Sequence, residues 1–171
     1  MSAAWEPAAD AWATTRVGRF GTEHGFDTFG SLRDASIADP AWFWDAVVRH
    51  LDLPFSTPYD AVLDVSEGIP WATWFTGGQT NLATACVDRW ATATPDAEAI
   101  VWEGEEGDPR TWTYAELRAQ ADGLAHLLRE RGVGAGDAVG IFLPMLPETI
   151  AAVLAVAKLG AVFVPVFSGY G

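Results

Sequence analysis

The sequence predicts an α/β fold in which an irregular, partly helical lead-in is followed by a β-hairpin and then by a parallel βαβ unit. Three observations carry this. Two short runs, Ala99 to Glu103 and Arg110 to Tyr114, flank the acidic turn Gly104 to Pro109, as hairpin strands do. Two wholly apolar runs, Ala138 to Leu143 and Ala161 to Val166, have the length and composition of parallel strands covered on both faces. Between them, Pro147 to Gly160 has the bounding residues and apolar period of a helix.

Taken in order, residues 1–38 mix polarity with scattered aromatics (Trp5, Trp12, Phe20, Phe26, Phe29) and show no sustained period, so they are expected to be irregular or partly ordered. Asp39 then supplies an N-cap and Pro40 the first helical position. Phe43, Val47 and Leu51 follow at spacing four as one apolar face. Residues 52–80 are broken by Pro54, Pro58, Pro70 and Gly77-Gly78, which predicts loop carrying buried aromatics, a wrapping segment with little core of its own. Asn81 caps a helix running to about Ala93, with Leu82, Cys86 and Trp90 on one face. Thr94-Pro95-Asp96 ends it, and the hairpin follows. Thr113-Tyr114-Ala115-Glu116 is a capping box. The helix it opens carries Leu117, Ala121, Leu124 and Leu128 at the 3.6-residue period and stops at Gly132. The Pro147 helix presents Ile150, Val153, Leu154 and Ala157, and the handedness rule makes the crossover right-handed.

Composition sets the outer bounds. A chain of 171 residues suits one domain, and 50% hydrophobic residues with a mean hydropathy of +0.12 exclude a disordered chain. A net charge of −13 excludes nucleic acid and anionic membrane surfaces as partners, because both require a basic footprint. Lys158 is the only lysine among ten basic residues, a bias that GC-rich coding and adaptation to high salt explain equally well. The single cysteine, Cys86, excludes an internal disulfide framework and fits a reducing compartment. Met1 to Asp10 has neither the basic nor the apolar region of a secretory signal. Pro144, Pro147, Gly160 and Pro165 cut the most apolar stretch into pieces too short for a membrane span.

The residues that could carry chemistry mostly have plain readings. Gly132-Val133-Gly134-Ala135-Gly136 leaves a helix and enters a strand, the reverse of a dinucleotide loop, and reads as a connector. His24, His50 and His126 are far apart and match no metal-ligand spacing. Cys86 on an apolar helix face reads as a small core residue. Glu103, Glu105, Glu106 and Asp108 form a solvated hairpin tip, and the pairs Trp42/Trp44 and Trp71/Trp74 are expected to pin the lead-in onto a larger body. No catalytic and no metal-binding residue is assigned.

Two stretches together resemble the AMP-forming acyl-CoA synthetases, most closely the acetyl-CoA synthetase branch. The first is WFTGGQTNLATACVDRW, where Trp74, Phe75, Gly77, Gly78, Asn81, Ala83, Cys86, Asp88 and Arg89 meet the opening segment of that branch. The second spans residues 111–167. It resembles the family's T-Y-x-E-L helix start (from Thr113), its G-V-x-x-G-D-x-V turn (from Gly132), its P-M-x-P-E helix start (from Pro144) and its A-x-x-K-x-G-A-V exit (from Ala155). The upstream FWDAVVRHLDLPF resembles the short N-terminal region of the same branch.

The resemblance implies the start of the large N-terminal domain of an adenylate-forming enzyme, here incomplete. Residues 1–80 correspond to the N-terminal lead-in segment and residues 81–171 to the beginning of the AMP-binding domain. It implies an acid–thiol ligase of the acetate–CoA type. A carboxylate and ATP give an acyl-adenylate and pyrophosphate, and coenzyme A then displaces AMP. The implied partners are a small carboxylic acid, ATP with Mg²⁺, coenzyme A and the remainder of the chain, in the cytoplasm, with none of the ligands expected to bind residues 1–171 tightly. The family's phosphate loop, ribose aspartate and C-terminal lysine domain have no counterpart in these residues. One ligand site carries over. The branch has a Phe-Gly-Gly turn beside the coenzyme A nucleotide, and Phe167, Ser168 and Gly169 stand there, with serine replacing the first glycine. A plain turn is an equal reading. Val164-Pro165 departs from the acetyl pattern, so propionate, acetoacetate or a longer acid remains open. The alternative class is a non-catalytic remnant acting as a binding or interaction module.

Overall fold

A computed structural model describes residues 7–105, 107 and 109–166. Trp5, Glu106, Asp108 and the Phe167, Ser168 and Gly169 turn lie outside the described residues. The chain divides into two compact units, one of Met1–Leu53 with Thr57–Gly78, the other of Pro54–Ser56 with Gln79–Gly171.

The first unit opens with α1 (Ala11–Thr14), α2 (Arg16–Glu23), α3 (Phe29–Ala38) and α4 (Pro40–His50). Residues 11–38 are therefore largely helical, the ordered side of the irregular or partly ordered structure that the sequence predicts. Side-chain caps start α2, α3 and α4. Thr15 accepts from the Gly18 N–H, Thr28 from Ser31 and Asp39 from Trp42. The scattered aromatics converge. Phe20, Leu32 and Ala46 form a buried core against which Trp12, Phe26, Trp42, Phe43 and Val47 pack. Residues 12–47 thus have a core of their own. Phe43 and Val47 face it, but Leu51, beyond the end of α4, is exposed. The expected loop at 52–80 contains an antiparallel hairpin, β1 (Ala61–Asp64) with β2 (Thr73–Thr76), Leu63 opposite Trp74. Its aromatics are not uniformly buried. Trp71, in a 3-10 turn, is 74% exposed, and Trp44 and Trp74 stack edge to face at 6.3 Å.

In the second unit, Asn81 opens a helical run in which a π-helical stretch (Thr84–Asp88) leads into α5 (Arg89–Ala93), and its Oδ1 accepts from the Ala83 N–H at 2.9 Å. Its buried face is Ala83, Val87 and Ala91, one position on from the expected Leu82, Cys86 and Trp90, all three of which are exposed. The small residues face inward because they allow close approach to α6 (Tyr114–Glu130), whose Leu117 and Ala121 join the same core together with Ala151 and Leu154. Before α6, β3 (Glu98–Glu103) and β4 (Pro109–Thr113) form the expected hairpin. The Thr113–Glu116 capping box then forms both of its hydrogen bonds.

The βαβ unit consists of β5 (Ala138–Ile141), α7 (Pro147–Lys158) and β6 (Val162–Pro165), with the strands parallel and Ala138 opposite Val162 through to Ile141 opposite Pro165. Ile141 packs with Ala152 and Val156 of α7 and with Leu124 and Leu128 of α6, so both helices cover one sheet face. The described residues cover only that face. Ala138 and Gly140 are exposed, as is every residue of β6.

Candidate functional site

Parallel strands deliver ligand-binding loops at their C-terminal ends. In the second unit that edge is made by two chain exits. β5 ends at Ile141 and runs into the loop Phe142 to Leu146, while β6 ends opposite it. The Val166 N–H donates to the Ile141 carbonyl at 2.8 Å, extending the pairing of the two strands by one residue. The expected ligand-contacting residues Phe167, Ser168 and Gly169 are outside the described residues, but the strand that leads to them is described and so is the loop beside it.

That loop is apolar, exposed and tied down. Phe142 is 63% exposed and Met145 79%. The Thr149 hydroxyl donates to the Pro144 carbonyl at 2.6 Å, and the Leu146 N–H to the same carbonyl at 2.8 Å. From the hairpin, the Trp102 indole N–H donates to the Met145 carbonyl at 2.6 Å. Arg110 lies over the Trp102 ring at 4.7 Å and donates two hydrogen bonds to Glu148, at 2.7 and 3.0 Å. Hydrogen bonding to Arg110 holds the Glu148 carboxyl below its usual range, and the same bond raises Arg110. Pro147 at the first position of α7 needs no N–H partner there, leaving Glu148 in the first turn to face the hairpin.

A second cluster lies at the other end of α7. Lys158, 15% exposed, donates to Asp88 at 2.5 Å and pairs with Asp122 at 2.8 Å. Burial opposes its charge, but the hydrogen bonds to Asp122 and Asp88, with their negative charge, outweigh burial and raise its pKa above the ordinary lysine value. Asn81 adds a third tie, its Nδ2 donating to the Ala157 carbonyl at 2.8 Å while its oxygen caps its own helix. Asn81 and Asp88 belong to one motif, Lys158 to another, and the fold brings them together across 70 residues or more.

Other candidates stay apart. Gly132 and Gly136 take positive φ (89° and 85°), and the Gly134 N–H donates to Asp137 within the turn, as a connector requires. His50 Nδ1 meets Glu23 at 2.9 Å, a pairing that spacing did not reveal. His24 bonds the Phe20 carbonyl, and His126 lies beside Glu130. Cys86 is exposed rather than a core residue. Trp42 packs within the aromatic core of the first unit. Among the described residues no three His, Cys, Asp or Glu side chains group to hold a metal, and no helix is long and apolar enough to cross a membrane.

The comparisons with known proteins agree with this arrangement. Residues 29–86 match the family model described as acetyl-coenzyme A synthetase N-terminus, and residues 87–171 match that described as AMP-binding enzyme. The acetyl-coenzyme A synthetase of Deinococcus radiodurans is 42% identical over 165 residues, covering 96% of this chain and 24% of the relative. That of Gemmatimonas aurantiaca is 41% identical over 141 residues, covering 82% and 21%. Among solved structures, acetoacetyl-CoA synthetase from Streptomyces lividans superposes with a TM-score of 0.88 at 35% identity, covering 98% of this chain and 27% of that one. The chain thus spans about a fifth to a quarter of the length of the curated relatives it matches.

Proposed function

The chain belongs to the AMP-binding enzyme family, in the branch with an acetyl-coenzyme A synthetase N-terminus, and on that premise we propose that it is the N-terminal part of an ATP-dependent acyl-CoA ligase. The observation that carries the reading is that two family segments meet in order at residues 86 and 87, and one solved synthetase superposes on 98% of the chain.

In the proposed reaction a small carboxylic acid of the acetate class attacks the α-phosphorus of ATP through a carboxylate oxygen and expels pyrophosphate. The thiol sulfur of coenzyme A then attacks the acyl carbon, and the carbon–oxygen bond to AMP breaks. A carboxylate is a poor electrophile until one oxygen is part of a phosphate leaving group, so the work lies in neutralising phosphate charge and in positioning. The resemblance assigns the metal and phosphate chemistry to parts of the enzyme other than these residues. We assign residues 1–80 to the N-terminal lead-in and residues 81–171 to the beginning of the adenylating domain, acting in the cytoplasm where ATP and coenzyme A are available. Phe167, Ser168 and Gly169 border the coenzyme A nucleotide, a reading supported by the sequence resemblance.

The division of labour is testable on the chain itself. Residues 1–171 alone are expected to give no ATP–pyrophosphate exchange with acetate, propionate or acetoacetate. Measurable exchange above a no-acid control overturns the assignment of the phosphate chemistry elsewhere.

A further inference from the structure

Lys158 carries the only side-chain amine in the 171 residues. The other nine of the ten Lys and Arg residues are arginines, whose guanidinium groups stay protonated and are not nucleophiles. An amine attacks an acyl carbon only as the free base. The reaction proposed above makes two acyl donors, the acyl-adenylate and the acyl thioester. With either donor, the Nζ lone pair of a free lysine would attack the acyl carbon. The bond to the AMP oxygen or the coenzyme A sulfur would break, and a proton would pass from nitrogen to water. The product is a neutral amide, and at Lys158 it would remove the cation that lies between Asp88 and Asp122.

The surroundings of Lys158 oppose that reaction. Its Nζ lies 2.5 Å from Asp88 at the end of the π-helical stretch and 2.8 Å from Asp122 in α6, and both contacts engage the ammonium. The lysine side chain is 15% exposed, while Asp88 and Asp122 are 32% and 54% exposed, so the carboxylates meet solvent more than the amine does. Burial disfavours the charge, but the hydrogen bonds to Asp122 and Asp88 outweigh it and favour the protonated form. The backbone beside the lysine is held as well, through the bond from Asn81 to the Ala157 carbonyl.

We propose that Asp88 and Asp122 protect Lys158 from acylation, keeping the one side-chain amine of this chain as a doubly paired ammonium in an enzyme that generates acyl donors. The reason for the protection rests on the ligase reading, but the protection itself does not.

The acetylating ester N-succinimidyl acetate tests this without ATP or coenzyme A. Labelling of Lys158 in the 171-residue chain is followed by mass spectrometry, with a short lysine peptide in the same tube as reference. In mildly alkaline buffer the folded chain is expected to label at least about tenfold more slowly than the chain in concentrated guanidinium chloride. Equal rates overturn the proposal. Asp122→Asn preserves size and shape, and is expected to speed labelling by about threefold or more with amide exchange in α7 unchanged. A measurement on the parent needs no variant and decides the matter if α7 loosens. Its labelling rate should keep rising with pH past the midpoint seen in guanidinium chloride. An unchanged rate in a folded Asp122→Asn, or one midpoint for both states, assigns the protection to burial alone and contradicts the role of the carboxylates. None of these readouts involves ligase activity, so a failure of ATP–pyrophosphate exchange counts against the ligase reading and leaves them intact.

Discussion

Replacing Lys158 by methionine is expected to lower the stability of its unit by about 2–3 kcal/mol, while Lys158→Arg retains most of it. Methionine matches the stem of lysine and removes only the ammonium, leaving Asp88 and Asp122 without the cation that joins them. Removing one partner of a fully buried pair costs about 3–5 kcal/mol, and the value here is lower because Asp122 is half exposed to water. The effect has a pH signature. Folding raises the pKa of Lys158, so its contribution is complete below about pH 10.4, the value of an unperturbed lysine, and is lost as pH rises through the folded value. Urea titrations of the parent and Lys158→Met should therefore differ at neutral pH and converge in strong alkali. A constant difference across that range shows that packing of the side chain, not its charge, is what matters.

Gly18→Ala is expected to cost the first unit about 3 kcal/mol, at the upper end of the usual range for overpacking. A Cβ at Gly18 would lie 1.6 Å from the carbonyl oxygen of Trp12, so the α1–α2 corner must open. Gly21→Ala is the control. Its Cβ would meet the Trp12 indole at 2.2 Å, a side chain that can turn away, and the loss should be clearly smaller. Near-ultraviolet circular dichroism reads the outcome through the cluster of Trp12, Phe26 and Trp42. Equal losses for the two variants contradict the backbone clash.

What the sequence made legible follows from the range of each interaction. The Thr113–Glu116 capping box and the Asp39-Pro40 helix start are local, and both form as read. The short apolar runs at 138–143 and 161–166 announced a βαβ unit because no other element of that length is so uniformly apolar. The core of the partly helical lead-in is not legible from spacing because its aromatics meet only after the chain turns at Thr15 and Thr28. In the helix after Asn81 the apolar side chains Leu82, Cys86 and Trp90 suggest a buried face, but all three are exposed. The fold instead buries Ala83, Val87 and Ala91, where closeness to α6 outweighs side-chain size. The Lys158–Asp88 pair and the Trp102–Met145 bond join residues 70 and 43 positions apart, beyond any spacing rule. Family resemblance marked Asp88 and Lys158 without saying that they touch.

The acidity found at the outset now has a narrower meaning. Some carboxylates do structural work, such as Glu148 on Arg110 and the two on Lys158, while no metal-binding group forms among the described residues.

The most direct test exchanges the matching N-terminal quarter of Deinococcus radiodurans acetyl-coenzyme A synthetase for this chain and measures acetate-dependent ATP–pyrophosphate exchange. The account predicts a folded hybrid whose exchange rate stays within about tenfold of the parent, a barrier change of no more than about 1.4 kcal/mol. A hybrid that melts like the parent but shows no exchange contradicts it.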